Sequence, residues 1–533
     1  MNMLKSTIKP YIGAMAVLFA AFSPQGAMAL DPIKIGDVDV GTITGYIRTQ
    51  GSWNLEDHPD RDFSPSSLGA KKIGGKGDMS MWRSSLYLQY VNSNLPYDSK
   101  LTLIGRVHHE TRTSYLNKLD RSVAQTGNLM NFYNDNSEAI REAYIDIPLS
   151  DRVKFRFGKQ QVVWGETDLL QALDLVNPRD LSWRSLFEPE DEEWRKPLIM
   201  ANFMISVPEA KGSLQLIYRP GWDKDTQMGN TLDLVGGRWS AQGSKGVNTL
   251  GLIPYNYHHK SGDTDDASYG FRWTGIFGQN NIGYSLAYYH TLSDNPILNV
   301  SVPGVITPYK GSIGAGAGIL GPGVLGEFIL PEIDIIGGSL NYPLTGIDMV
   351  LRSELAVTLD KPYNAGHPLS ALVPLPTIKE ETTAKLMIGF DKPWRGGKAI
   401  FGTVDSPFWT VQIFDSWIPG FKKSDQLFDV GTSKLKEHSV IAVTTFNVSY
   451  NSNTVNPGVA LAVDTSNGGG AIIPSVNILY GDHWRLRMDM PIFFLADDGC
   501  STNPLTGKGA NCTHLFGTFD NNNQFSARLT YQF

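Results

Sequence analysis

The chain ends Phe525-Ser526-Ala527-Arg528-Leu529-Thr530-Tyr531-Gln532-Phe533. Phe525, Ala527, Leu529, Tyr531 and Phe533 share one parity, and Ser526, Arg528, Thr530 and Gln532 share the other. Successive side chains of a strand point to opposite faces, so one face is wholly apolar and aromatic and the other wholly polar. On the edge of a soluble sheet such a strand risks aggregation. As the closing strand of a barrel in the outer membrane it turns its apolar face to lipid and its polar face to a wet lumen. The stretch therefore predicts an all-β fold, a transmembrane outer-membrane β-barrel of antiparallel strands in a Gram-negative bacterium. Its aromatic last residue, with Tyr531 and Phe533 on the apolar parity, also resembles the C-terminal assembly signal of such barrels. That likeness implies the barrel-assembly machinery and outer-membrane lipid as partners.

The rest of the 533 residues carry the same pattern. Short turns read at 94–97, 149–152, 208–212, 278–281, 342–346, 393–397, 451–457 and 481–483 alternate with long loops. The loops read at 111–136, 165–196, 221–266, 294–332, 361–379, 419–436 and 497–522, with a tight turn at 468–470. This is the rhythm of short periplasmic turns and long extracellular loops. Between them, Val153, Phe155 and Phe157 alternate with Lys154 and Arg156, and Trp484, Leu486, Met488 and Met490 with Arg485, Arg487 and Asp489. The hairpins amount to about 18 strands, or about 14 to 16 if the weakest segments fail. The first strand reads near residues 41–53, after a short periplasmic lead.

The whole-chain numbers fit. Hydrophobic residues make up 41% and mean hydropathy is −0.19, too polar for a bundle of membrane helices but ordinary when only alternate residues meet lipid. A net charge of −7 gives no footprint for nucleic acid. Lys5 and Lys9, an apolar run at 11–22 and Ala27-Met28-Ala29 read as a signal peptide over residues 1–29. Residues 30–533 then form a single barrel domain. The two cysteines, Cys500 and Cys512, fall in one polar loop, where export favours a disulfide worth roughly 3 kcal/mol.

The densest motif follows the strand at 153–157. Trp164-Gly165-Glu166-Thr167-Asp168 leads into Asp174-Leu175-Val176-Asn177-Pro178-Arg179-Asp180. Leu169, Leu170, Leu173 and Val176 have helical spacing, and Asn177-Pro178 ends the turn. So apolar a loop predicts inward folding, a lumen plug built from Trp164, Glu166, Asp168, Asp174, Asn177, Pro178 and Asp180. These runs, with Phe157-Gly158-Lys159-Gln160 before them, resemble the outer-membrane family named domain of unknown function 1302 (DUF1302). The resemblance spans the mature chain and implies a large porin-like barrel, encoded beside trans-envelope exporters and genes for hydrophobic-compound metabolism. It brings no catalytic residues.

Parity turns Arg83, Arg106, Lys154, Arg156, Arg219, Arg352, Lys385, Arg485, Arg487 and Arg528 inward, against Asp146, Glu354 and Asp489. This basic wall either pairs with the acidic loop or favours anions. The acidic run Glu188-Pro189-Glu190-Asp191-Glu192-Glu193 reads as a solvated loop, with a divalent-cation site as the alternative. Residues 296–331 form the most apolar loop, with only Lys310 and Glu327 charged. It either packs on neighbouring loops or makes a greasy gate, for which Ile319, Leu325 and Phe328 are the candidates.

Enzyme signatures are weak. Gly316-Ala317-Gly318-Ile319-Leu320-Gly321 spells a dinucleotide fingerprint, but Pro322 stops the helix that motif needs. The pairs His108-His109 and His258-His259 point to opposite faces and cannot chelate as strand neighbours. No enzyme, cofactor or metal is expected. The reading is a porin-like channel or binding protein for hydrophobic or amphipathic small molecules. The alternative is a non-transport role, as a surface adhesin or as the outer-membrane component of an export assembly docked to an inner-membrane exporter.

Overall fold

The computed structural model describes residues 33–35, 38–57, 75–117, 130, 133–134, 136–168, 170–179, 188–221, 266–293, 297–299, 327–366, 377–428, 435–495, 516 and 523–533. Residues 1–29, Leu169, Asp180, Ile319, Leu325, Cys500 and Cys512 lie outside them, so the signal peptide and the disulfide do too.

Eighteen antiparallel strands close into a barrel. In chain order they are β1 (Val38–Asn54), β2 (Met79–Asn92), β3 (Lys100–Glu110), β4 (Ile140–Ser150), β5 (Val153–Gln160) and β6 (Leu198–Val207). Next come β7 (Gly212–Arg219), β8 (Ser268–Phe277), β9 (Ile282–Leu292), β10 (Glu332–Leu344), β11 (Met349–Ala365) and β12 (Thr377–Pro393). The last six are β13 (Phe408–Trp417), β14 (His438–Asn447), β15 (Val455–Asp464), β16 (Gly469–Tyr480), β17 (Trp484–Asp489 continued by Ile492–Leu495) and β18 (Gln524–Gln532). Each strand pairs with its sequence neighbour, and β1 pairs with β18 from Tyr46↔Gln532 to Asn54↔Gln524. Closure removes the open edges that a sheet of this size would expose.

The alternation read from the C-terminus governs the wall. Gln524, Ser526, Arg528 and Thr530 are buried on the inner face. Outside, Leu88, Leu216, Phe271, Leu286, Ile336, Leu355, Ile388 and Ile413 stand exposed. Aromatic residues crowd both ends of this apolar band. Trp409 packs on Phe390, and Trp484 on Tyr531, at the short-turn end, while Trp417 stacks on His438 and Trp53 meets Trp82 at the long-loop end. An apolar belt between two aromatic girdles is the surface a bilayer demands.

One expectation gains detail and another needs correction. The lead before the first strand includes Ile33–Ile35, which pairs with the start of β1. There β1 extends past the end of β18 and would otherwise leave an unpaired edge. The turn after β12 runs over residues 394–407 and holds a short helix, Gly397–Phe401. Its Trp394 and Phe401 rings pack with each other and with Phe446 of β14, which draws the segment against the rim.

The candidate lumenal constriction

Between β5 and β6, the described residues 161–168, 170–179 and 188–197 leave the wall and lie across the lumen. Asn177 closes the neck of this loop. The Asn177 side chain accepts the Val162 N–H at 2.7 Å and donates to the Lys196 carbonyl at 2.8 Å, beside Pro178, whose carbonyl accepts the Lys196 N–H at 2.7 Å. Asp174 fixes the next turn. It accepts the Trp164 N–H at 3.2 Å and pairs with Arg179 and Arg195, both at 2.8 Å. Only a glycine fits at 165, since a Cβ there would lie 2.7 Å from Asp174 Cβ and 2.8 Å from its backbone nitrogen.

Past this turn the loop meets the wall on every side. Trp164 donates its indole N–H to Gln215 of β7 at 2.9 Å and sets its ring edge-on to Tyr289 of β9. Glu166 accepts a hydrogen bond from Asn341 of β10. Arg352 of β11 donates to the Glu166 carbonyl at 2.6 Å and to Asp168 at 2.8 Å. Glu354, buried on β11, accepts the backbone N–H groups of Glu166 and of Leu173, the latter at 3.0 Å. Trp164, Leu173 and Val176 pack with Met200, Ile217, Ala287, Ile335 and Ala356. Gly337 of β10 makes room, since a Cβ there would lie 2.5 Å from Leu173. Leu170 and Ala172 reach the far wall, among Met387, Phe414, Val443, Ala462, Ala471 and Phe493 of β12 to β17.

The helical spacing of residues 168–176 does not give a helix; the described residues form bends. The reason lies in the partners. The Leu173 N–H, which a helix would satisfy internally, is taken by Glu354 at 3.0 Å, and the N–H groups at the start of the stretch go to Glu354 and Gln412.

The acidic run is solvated only in part, because Glu188 and Glu193 are drawn onto the wall. Glu188 pairs with Arg528 at 2.7 Å, with both side chains nearly sealed from water. Glu190 and Glu193 pair with Arg48, and Glu193 also with Arg106 and the Tyr46 hydroxyl. Arg141 donates to the Glu192 and Arg195 carbonyls. Burial alone would raise the Glu193 carboxyl, but the guanidiniums of Arg106, Arg48 and Arg141 outweigh it and hold that carboxyl down to about 2. These pairings occupy the Glu188, Glu190 and Glu193 carboxylates, and no group of three or more His, Cys, Asp or Glu among the described residues could hold a metal.

The basic wall is correspondingly neutralised. Arg83 pairs with Glu110 at 2.9 Å, and Arg156 and Lys154 share Asp146 at 2.7 and 3.2 Å. Arg352 pairs with Asp391 as well as Asp168, and Arg487 lies 3.5 Å from Asp489. Arg219 is buried, Lys385 is half-buried and Arg485 is exposed. The expected excess of inward cations is thus largely met by carboxylates of the loop and by Glu110 and Asp391 of the wall. Tyr46, Arg48, Arg141 and Gln412 were not among the residues singled out from sequence. Tyr46, Arg48 and Gln50 share the inward parity of β1, which was the available signal for the first two.

At the expected gate, Ile297–Asn299 pairs with Glu327–Ile329, placing Leu298 opposite Phe328, and Ile297 and Leu330 are buried.

A family model described as "Protein of unknown function (DUF1302)" matches residues 12–533. Among solved structures the chain is similar to OmpF of Salmonella typhi in complex with daunomycin, at 9% identity and a TM-score of 0.40, over 94% of this chain and 100% of that one. It is similar to OccK1 (OpdK) of Pseudomonas aeruginosa, at 8% and 0.42, over 92% and 98%. OccAB1 of Acinetobacter baumannii matches at 11% and 0.40, over 92% and 95%. The search of curated proteins found no match.

Proposed function

The chain belongs to the DUF1302 family, and on that premise we propose that it is an outer-membrane channel or binding protein for hydrophobic or amphipathic solutes. The observation that carries this reading is the asymmetry of the constriction. One side of the inward loop is tied to the wall by buried ion pairs, Arg528–Glu188 above all, while the other side rests on an apolar patch of β12 to β17. A purely hydrophilic pore has no use for an apolar inner wall, whose exposure to lumenal water would be unfavourable. A solute with an apolar part could replace the loop tip on that patch without uncovering it.

The outward apolar belt and its two aromatic girdles support residence in the outer membrane. Export would begin with the leader at residues 1–29, and Tyr531 and Phe533 would present the chain to the barrel-assembly machinery. Solute flux into proteoliposomes tests the proposal. Apolar-tailed solutes should enter faster than hydrophilic solutes of equal size, and equal rates would overturn the selectivity.

A further inference from the structure

The tip of the inward loop carries a carboxylate and an apolar stretch close together, and the wall offers a seat for each. Asp168 Oδ2 accepts hydrogen bonds from Arg352 Nη2 at 2.8 Å and from Gln412 Nε2 at 2.9 Å. Shortly beyond it, Leu170 and Ala172 lie on the apolar patch. The two seats adjoin, because Gln412 and Phe414 are successive inward residues of β13 and Met387 lies opposite Phe414 on β12. Arg352 is held independently by Asp391 at 2.7 Å, which itself accepts a bond from Thr410 at 3.0 Å. It would keep its place if Asp168 left. The Asp168 side chain is 45% exposed, so solutes can reach this pair, whereas the Arg528–Glu188 pair is sealed. Arg352 Nε is buried with no hydrogen-bond partner among the described residues, so its planar fork is only partly used.

We propose that the loop tip at Asp168, Leu170 and Ala172 stands in for cargo, and that the cargo is an amphipathic monocarboxylate. Its carboxylate takes the place of Asp168 on Arg352 and Gln412, and its hydrocarbon part takes the place of Leu170 and Ala172. The inference rests on the transport reading above and narrows it to one headgroup. A guanidinium prefers a carboxylate to a neutral amide because the bond is charge-assisted. The apolar seat adds a preference for chain length, about fourfold for each methylene buried.

Three probes separate these terms in planar bilayers: octanoate, octanamide and acetate. The readout is the probe concentration that halves the small-ion current. Octanoate should act at about tenfold lower concentration than octanamide, the difference one charged hydrogen bond provides. Acetate should act far more weakly than octanoate. Arg352→Gln should erase the octanoate preference, and Met387→Gln should weaken octanoate and octanamide alike. Asp168→Asn weakens the internal competitor and should make octanoate act at several-fold lower concentration. This gain decides the matter even if Arg352→Gln fails to assemble. Equal action of octanoate and octanamide on the unaltered protein, or weaker octanoate action in Asp168→Asn, would overturn the inference and leave the channel reading standing. Absence of any ion current would overturn the channel reading itself, and the inference with it.

Discussion

Arg528 of the last strand and Glu188 of the inward loop, 340 positions apart, form an ion pair at 2.7 Å, with side chains 4% and 2% exposed. The pair joins the strand that closes the barrel to the segment that crosses it. Removing one partner leaves a buried charge uncompensated, which typically costs about 3 to 5 kcal/mol. Glu188→Ala should therefore loosen the loop without opening the wall. The checks are higher single-channel conductance and greater sensitivity to large antibiotics, with normal heat-modifiable gel migration.

Gly165 and Gly337 make a steric prediction. A side chain at 165 meets the Asp174 backbone, and one at 337 meets Leu173 and the Leu355 carbonyl. Gly165→Val cannot be accommodated by shifting a flexible side chain. It should expel the loop tip and raise conductance, while Gly346→Ala, where a Cβ meets nothing within 4 Å, should leave conductance unchanged.

Glu193 predicts the pH response of the loop anchor. Its folded carboxyl is depressed from 4.5 to about 2 by the surrounding arginines, against the opposing effect of burial. A depressed carboxyl stabilises the docked state above its ordinary value, and that stabilisation is lost as pH falls through the folded value. Conductance recorded from about pH 8 downward should stay level to about pH 5 and rise below about pH 4. Glu193→Gln should show raised conductance across the range and lose this acid-dependent step.

The two ends of the barrel meet at Gly45 and Phe533, whose backbones exchange hydrogen bonds of 2.9 and 3.0 Å. Removing Phe533 deletes that exchange and the terminal aromatic together. The recovered amount of heat-modifiable protein in outer-membrane fractions should fall severalfold, with more protein in periplasmic aggregates. Unchanged recovery would leave Phe533 without an assembly role.

The barrel was legible because its signal repeats. Phe525 to Phe533 show one strand, and each further hairpin states the same alternation, so local errors such as the turn after Pro393 do not accumulate. The loop was legible only in direction. Leu170, Leu173 and Val176 are too apolar for solvent, which predicts inward folding, but their spacing also fits a helix that does not form. What prevents it is Glu354, 181 positions from Leu173, taking the backbone N–H that a helix would need. The acidic run at Glu188 was misread in part for the same reason. A carboxylate cluster looks solvated until Arg48, Arg106 and Arg528 arrive from three strands.

The central claim is that the described residues between β5 and β6 obstruct the lumen. Because the Gly165 and Asp174 backbones touch, residues 166–172 can be replaced by two glycines with the neck intact. Single-channel conductance of this variant, beside the unaltered protein, is the most direct test. A severalfold increase, with unchanged heat-modifiable migration, is the predicted result. Equal conductance in a variant that still assembles would contradict a lumenal obstruction.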